Sequence, residues 1–565
     1  MTQPFKHPYP IARPYAKAVA YFCMEFAIDQ SLKIYSGGLG YLAGSHLRSA
    51  HDLRQNFIGI GMLWKYGYYD QVRQPDQSMG VLFQEKLYNF LEDTGIVLDV
   101  KVNSHDVKVK VWYLPPEVFG TAPLFLLSTD VPENDYLART ITHRLYDSNV
   151  ATKIAQYIVL GVGGVKLIKR LGWNADIYHF NEAHALPGAY ELLREHGDIT
   201  AVRERLVFTT HTPIPAGNEV HDVNMLHHMS FFGDRTIEEV RNLAIVDNGA
   251  FNQTLNALHL SRLANGVSRM HGEVARNMWS FHNDICPILS ITNAQNQEYW
   301  ADKEMYKAVK KNEKSVFFRA KARAKQALFD VVADQCGKHF KSDVCTIVWA
   351  RRFAPYKRAD LITKDLQVFD AIMRNTDQPV QMIWAGKPYP MDGGAIGTFN
   401  KLIETSKQYP NCAVLTGYEL KLSRLLKGGA DLWLNTPRIT REASGTSGMT
   451  AAMNGAINFS TNDGWIPEFA IDGANAYVIP EVNPELPEHQ QDWLDMKALH
   501  RILQEEALPT YYNKKAWWKL VRQSMRDVVP MFDSDRMAAE YYSKLYDPPA
   551  SEISERKTES AIGSE

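Results

Sequence analysis

The stretch "PRITREASGTSGMTAAMNGAINFS" (residues 437–460) begins where the apolar run "ADLWLNTP" (430–437) ends. The run reads as a buried strand. Glu442 then opens a turn of small residues that becomes a helix, with Met449, Ala452 and Met453 at i, i+3 and i+4 forming its apolar side. A strand that passes through such a turn into a helix is the repeating unit of parallel α/β architecture. The amides of Ser444, Gly445 and Thr446 would stand unpaired at the helix start, ready for an anion. Glu442 beside them can accept hydrogen bonds from sugar hydroxyls. A plain structural helix cap is the competing reading.

Outward from this segment the pattern repeats. "DVCTIVWARRF", "PVQMIWAGKP" and "CAVLTGYE" read as strands in the second half of the chain, and "AVAYFCMEFAI", "FIGIGML", "DIYHFNEA" and "RLVFTTHTP" in the first. Helix-length segments separate them, and each run ends in a polar or glycine-containing stretch, where open α/β sheets bind ligands. The expected fold is α/β, with two Rossmann-like domains facing a central cleft. Residues 1–300 form the first domain and 301–510 the second, with C-terminal helices over 511–547 and a polar, disordered tail over 548–565. The join is expected near residues 296–340. There "KAVKKNEKSVFFRAKARAK" (307–325) holds eight basic residues against one acidic and looks helical; a solvated face is favoured over a polyanion patch. Pro530 is expected to break the C-terminal helices.

The 565 residues are 45% hydrophobic and 22% charged, with a formal net charge of −2, so nothing global points to nucleic acid or a membrane surface. Cys23, Cys286, Cys336, Cys345 and Cys412 form no CxxC pair and no zinc spacing, as expected of reduced thiols in a cytoplasm. No signal peptide is read at the N-terminus. No stretch is read as approaching the ~20 apolar residues that span a bilayer.

Five further segments are weighed for chemistry. "YSGGLGYLAG" (35–44) lets backbone approach a ligand, or makes a tight strand-to-helix turn. "VWARRFAPYKRADL" (348–361) sets Arg351, Arg352, Lys357 and Arg358 just past a strand. Of these, Arg352 and Lys357 suit a phosphate or diphosphate, one as a forked guanidinium and one as a point charge. "FTTHTPIPAGNEVHD" (208–222) offers His211, and "HFNEAHALPG" (179–188) offers Glu182 and His184. Without HExxH spacing, sugar contacts or loop structure are favoured there over metal, and no metal site is expected. "LGVGGVKL" (160–167) fails as a phosphate loop, because no Ser or Thr follows Lys166 and the context is helical.

"YSGGLGYLAG", "HFNEAHA", "HTPIPAG", "ITN" (291–293), "ARRFAPYKR" and "EASGTSGM" occur in the order and with much of the wording of the α-glucan (glycogen/starch) phosphorylase family. The chain resembles its short bacterial branch from about residue 20 to 480. The resemblance implies the glycosyltransferase B fold, with its site in the interdomain cleft, and retaining transfer of α-glucosyl units to or from phosphate. By position, His211 and Asn293 resemble the residues that hold the glucose 6-hydroxyl, and Glu442, Ser444 and Gly445 the contacts to its other hydroxyls. Arg352 and Lys357 resemble the cations on the substrate phosphate. Gly38 and Gly40 belong to the glycine loop, and Thr446 resembles a contact to the cofactor phosphate. Family members are often dimers, so a homodimer is one assembly the resemblance allows.

The departure is Thr450, where the family carries the lysine that holds pyridoxal phosphate as a Schiff base. No lysine occurs from 428 to 496. Covalent pyridoxal phosphate is therefore not expected. Nucleotide-sugar enzymes of this fold bind a diphosphate where the family apposes two phosphates. Many carry a Glu, seven residues and a second Glu that holds ribose; counted from Glu442, the second position is residue 450. The expected activity is a retaining α-glucosyltransferase using ADP- or UDP-glucose and an α-glucan or oligosaccharide acceptor. The alternatives are a glucan phosphorylase acting on glucose 1-phosphate with noncovalent cofactor, and a noncatalytic glucan-binding protein.

Overall fold

The structure, a computed structural model, describes residues 4–549; all of the expected tail except Pro548 and Pro549 lies outside the described residues. The chain forms two compact units. One comprises residues 4–68, Phe83–Asn293 and residues 534–549; the other comprises Tyr69–Leu82 and Ala294–Asp533. These limits differ from the sequence reading at three places. The hairpin Asp70–Arg73/Met79–Leu82 lies within the second unit, the boundary falls after Asn293, and the C-terminal helices are divided at Ser534. Membership here is set by side chains reaching distant backbone: Gln71 Nε2 donates to Gly386 O (3.0 Å) and Tyr69 Oη to Pro388 O (2.7 Å).

The first unit is built on a nine-stranded sheet. Val19–Phe22 sits within it, parallel to Phe57–Met62 on one side and to Ile177–Asn181 on the other. Leu206–Thr209, Leu263–Gly266 and Ile288–Ser290 extend one wing in parallel. Leu124–Ser128 continues the other, followed by antiparallel His105–Leu114 and Glu92–Val102. The parallel strands Val19–Phe22, Phe57–Met62 and Ile177–Asn181 are buried throughout, as strands covered on both faces must be.

The helix Val150–Arg170 contains the glycines of "LGVGGVKL". They serve packing: a Cβ on Gly161 would lie 2.5 Å from Ala185 O, and one on Gly164 would lie 2.3 Å from Phe22 Cε1. At 21 residues it is long and apolar enough to cross a membrane, contrary to the sequence reading, but most of it is buried against the sheet and the helix Pro187–His196. Burial inside the fold accounts for its apolar character.

The second unit has a six-stranded, fully parallel sheet. Its order is Cys412–Leu415, Val380–Ala385, Cys345–Ala350, Leu432–Asn435, Ile457–Thr461 and Ala476–Ile479. Helices Lys314–Cys336 and Leu420–Gly429 cover one face, burying Leu328, Val332 and Leu426 against Val348, Ile383 and Trp433. "KAVKKNEKSVFFRAKARAK" is two helices rather than one, because Asn312 turns left-handed (φ 59°) between Lys303–Lys311 and Lys314–Cys336. Pro530 does not break its helix. It lies in the last turn of Lys514–Phe532, and the helix ends two residues beyond it.

Candidate active site

In the second unit the chain leaves Cys345–Ala350 for the edge strands on one side, then returns to Leu432–Asn435 on the other. The carboxyl ends of these two strands flank the topological switch point, the place where such sheets bind ligands. The loop 351–358 leaves one strand and the loop 436–446 leaves the other. Their tips meet. Arg351 Nη2 donates to Glu442 Oε2 at 2.7 Å and Lys357 Nζ to the same oxygen at 2.8 Å.

All three side chains are nine-tenths buried or more. Burial opposes the Glu442 charge, but Arg351 and Lys357 outweigh it and hold the carboxyl down to about 2. Two cations thus share one carboxylate oxygen. Asp463 does not complete the balance, because burial and the neighbouring Glu442 push its carboxyl up to about 7. Arg351 Nη1 and Ser444 Oγ are buried without a hydrogen-bond partner among the described residues. A surplus of buried positive charge with unpaired donors is chemistry that an anion with hydroxyl groups would satisfy.

Arg351 is the buried guanidinium that grips Glu442, while Arg352, the arginine assigned to the substrate phosphate from sequence, is exposed. Arg358 is bound into the fold, on Asp495 (2.6 Å), Thr436 O and Pro437 O. Gly445 turns left-handed (φ 84°), and a Cβ there would lie 3.2 Å from Arg351 Nη2 and 3.3 Å from Glu442 Cγ. Thr446 precedes the short helix Ser447–Ala452, whose Met449 and Ala452 are buried, as is Met453 just beyond it.

Thr450 lies fully buried within that helix. Its hydroxyl donates to Ser447 O (3.0 Å), and its own carbonyl accepts from Asn454 Nδ2 (2.8 Å). A threonine turned back on its helix offers no amine, so this position does not fit pyridoxal phosphate anchored as an imine. Lys321, a buried amine, is committed to Asn454 O at 2.9 Å.

The first unit gathers a second set at the carboxyl end of Ile177–Asn181. His211 Nε2 lies 2.7 Å from Asn181 Oδ1, an acceptor, so Nε2 carries the hydrogen. Burial lowers the His211 pKa to about 3, which leaves a neutral ring whose Nδ1 can accept from a hydroxyl. Glu182, in a left-handed backbone (φ 70°), accepts from His211 N and from Thr212 Oγ1 (3.3 Å), so it braces the His211 turn. Asn293 donates its amide to Val267 O (3.0 Å), and its buried Oδ1 has no partner among the described residues. Gly40 packs inward, where a Cβ would lie 2.6 Å from Glu25 Oε2, and that carboxylate accepts from Ser36 N (2.6 Å) and Gly37 N (3.0 Å). Only Gly38 of the expected pair has open space in its Cβ direction. His184 is close to Tyr157 (ring centroids 5.1 Å). Among the described residues no group of three His, Cys, Asp or Glu could hold a metal ion.

Sequence reasoning named Arg351 without giving it a role, and left out Asn181, Glu25 and Asp463. Asp463 Oδ2 accepts from Arg441 N (3.1 Å) and Glu442 N (2.9 Å), fixing the turn that presents Glu442. Nothing in local spacing marks a residue 21 positions downstream. Asp463→Asn is expected to leave one amide without an acceptor, lower stability by about 1–3 kcal/mol and misplace Glu442. Thermal unfolding together with donor-concentration kinetics checks this; unchanged values in both would deny Asp463 the bracing role.

A family model described as carbohydrate phosphorylase matches residues 290–472. An uncharacterised protein of Methanocaldococcus jannaschii is 45% identical over 533 residues, covering 94% of this chain and 100% of the relative. Maltodextrin phosphorylase of Thermococcus litoralis is 33% identical over 589 residues, covering 94% of this chain and 70% of its own length. Glycogen phosphorylase of Mycobacterium tuberculosis is 30% identical over 624 residues, with 94% and 71% covered.

Proposed function

Because this chain belongs to the carbohydrate phosphorylase family, we propose that it is a retaining α-glucosyltransferase whose donor is a nucleotide-activated glucose rather than glucose 1-phosphate. Membership makes it a hexosyltransferase-type enzyme acting on glucans. The finer reading is carried by one observation: the buried Arg351–Lys357–Glu442 cluster has surplus positive charge, while residue 450 has no amine to hold a covalent cofactor phosphate beside it.

In this reading Arg351 and Lys357 bind the donor's diphosphate. Charge grows on the diphosphate oxygen as its bond to the glucosyl C1 breaks, and two fixed cations in a dry site stabilise that charge most where it develops. The acceptor hydroxyl oxygen forms the new bond to C1 from the face the diphosphate leaves, and its proton passes to the departing phosphate oxygen. Glu442 holds the cations in place and accepts from sugar hydroxyls, and Ser444 supplies a hydroxyl. Arg352 extends the cationic loop to its exposed side. His211 and Asn293 are assigned the glucose 6-hydroxyl, with Gly38, Gly445 and Thr446 allowing backbone approach. No protein nucleophile is required.

The test is incubation of the purified protein with maltooligosaccharides and, in separate reactions, ADP-glucose, UDP-glucose and glucose 1-phosphate, with and without added pyridoxal phosphate. Nucleoside diphosphate release matched by chain elongation is the expected result. Inorganic phosphate release from glucose 1-phosphate that grows with added pyridoxal phosphate would replace it with the phosphorylase reaction. Glucan binding without turnover of any donor would leave a noncatalytic role.

A further inference from the structure

The helix Lys303–Lys311 carries Lys303, Lys307, Lys310 and Lys311 at i, i+4, i+7 and i+8, so all four share one face and all four are exposed. Met305, Ala308 and Val309 are buried. The lysine face lines a groove of about 460 Å³ whose other wall includes Gln297 and Glu298. Among the described residues Glu298 is the one carboxylate lining the groove, and it is paired with Lys303. Among the described residues Lys307, Lys310 and Lys311 form no ion pair.

Neighbouring like charges at these spacings destabilise a helix. The helix dipole accounts for Lys310 and Lys311, which stand in the last turn, where cations are favoured. It does not account for Lys307, and it opposes Lys303 in the first turn. A ligand that neutralises the whole face removes that repulsion.

We propose that this groove is a binding site for a di- or triphosphate group, separate from the Arg351–Lys357–Glu442 cluster. Its volume is that of a small-molecule site and too small for a nucleic-acid duplex. Ammonium groups act as point charges spread along one wall, which suits successive phosphate oxygens better than a single flat carboxylate. The aromatic ring at the groove, Tyr306, is buried, and its hydroxyl donates to Met525 O at 3.2 Å, so it offers no open face for base stacking. The phosphate chain is therefore what the site recognises, whether inorganic or part of a nucleotide.

The test is isothermal titration of the full-length protein with inorganic triphosphate, pyrophosphate and ADP. It uses the wild type, Lys307→Glu/Lys310→Glu, Lys307→Arg/Lys310→Arg and Arg351→Ala, each checked for folding by circular dichroism. The charge-reversed protein is expected to lose one class of sites, with affinity falling at least tenfold, while glucosyl transfer without added polyphosphate is unchanged. The arginine variant should retain that class, and so should Arg351→Ala, which separates this site from the donor site. Equal affinity for pyrophosphate and ADP points to an inorganic ligand, and tighter ADP binding to a nucleotide. Identical isotherms for the wild type and the charge-reversed protein would overturn the proposal. So would capture of a single-stranded RNA oligonucleotide with no response to triphosphate. If the glutamate variant misfolds, Lys307→Gln/Lys310→Gln must show the same loss.

Discussion

Glu442→Ala is expected to destabilise the protein by about 3–5 kcal/mol and to abolish glucosyl transfer, because it leaves Arg351 and Lys357 buried together with no counter-charge. Burial alone would raise the Glu442 pKa, yet the two cations bring it from the usual 4.5 to about 2. A carboxyl held low in the folded state binds its proton less readily there than when unfolded. Its stabilisation is therefore complete above pH ~4.5 and is lost as pH falls towards 2, an effect of about 3 kcal/mol. Denaturant unfolding of the wild type and Glu442→Gln across that window should show the wild type losing more stability. Parallel pH curves for the two proteins would mean that the cluster does not hold Glu442 ionised. Glu442→Gln should also lose transfer activity, since an amide cannot balance two cations.

Gly386→Ala is the second change with a large expected effect, although residue 386 touches no expected ligand. Gly386 follows the strand Val380–Ala385 with φ +146°, and a Cβ there would lie 1.8 Å from Arg351 O and 2.9 Å from Arg351 C. The two segments run side by side at this point, with Arg351 N donating to Ala385 O (3.2 Å) and Phe353 N to Lys387 O (3.3 Å). Neither backbone can yield without moving the other. The substitution is expected to cost at least about 3 kcal/mol and to displace Arg351, so transfer falls by roughly two orders of magnitude or more. Gly397→Ala is the control. It lies in the helix Gly393–Lys407 with open space around its Cβ direction, and is expected to be neutral or stabilising by up to about 1 kcal/mol. Equal melting temperatures for the two variants would show that the close approach at Gly386 can relax.

Much of this was legible in the chain itself. Strands such as Cys345–Ala350 and Phe57–Met62 were readable because a strand buried on both faces reads as a near-continuous apolar run, and each leads into a polar loop. Glu442, Lys357 and His211 stand in loops whose wording marks them, and the structure places each at the carboxyl end of a strand. Family membership was equally legible, because several separate segments carry it in order.

What the sequence by itself determined is therefore local: parallel α/β architecture, the loops that carry polar groups, and the chemical fact that residue 450 is a threonine. Tertiary structure decided which of two adjacent arginines is buried on Glu442, because a one-residue difference reverses the direction of a side chain without changing composition. It decided that Tyr69–Leu82 belongs with residues more than 200 positions away, and that Asp463 braces the Glu442 turn. It also turned Gly40 towards Glu25. Each of these rests on a hydrogen bond or close contact between residues far apart in the chain, and periodicity over a few residues carries no record of such partners.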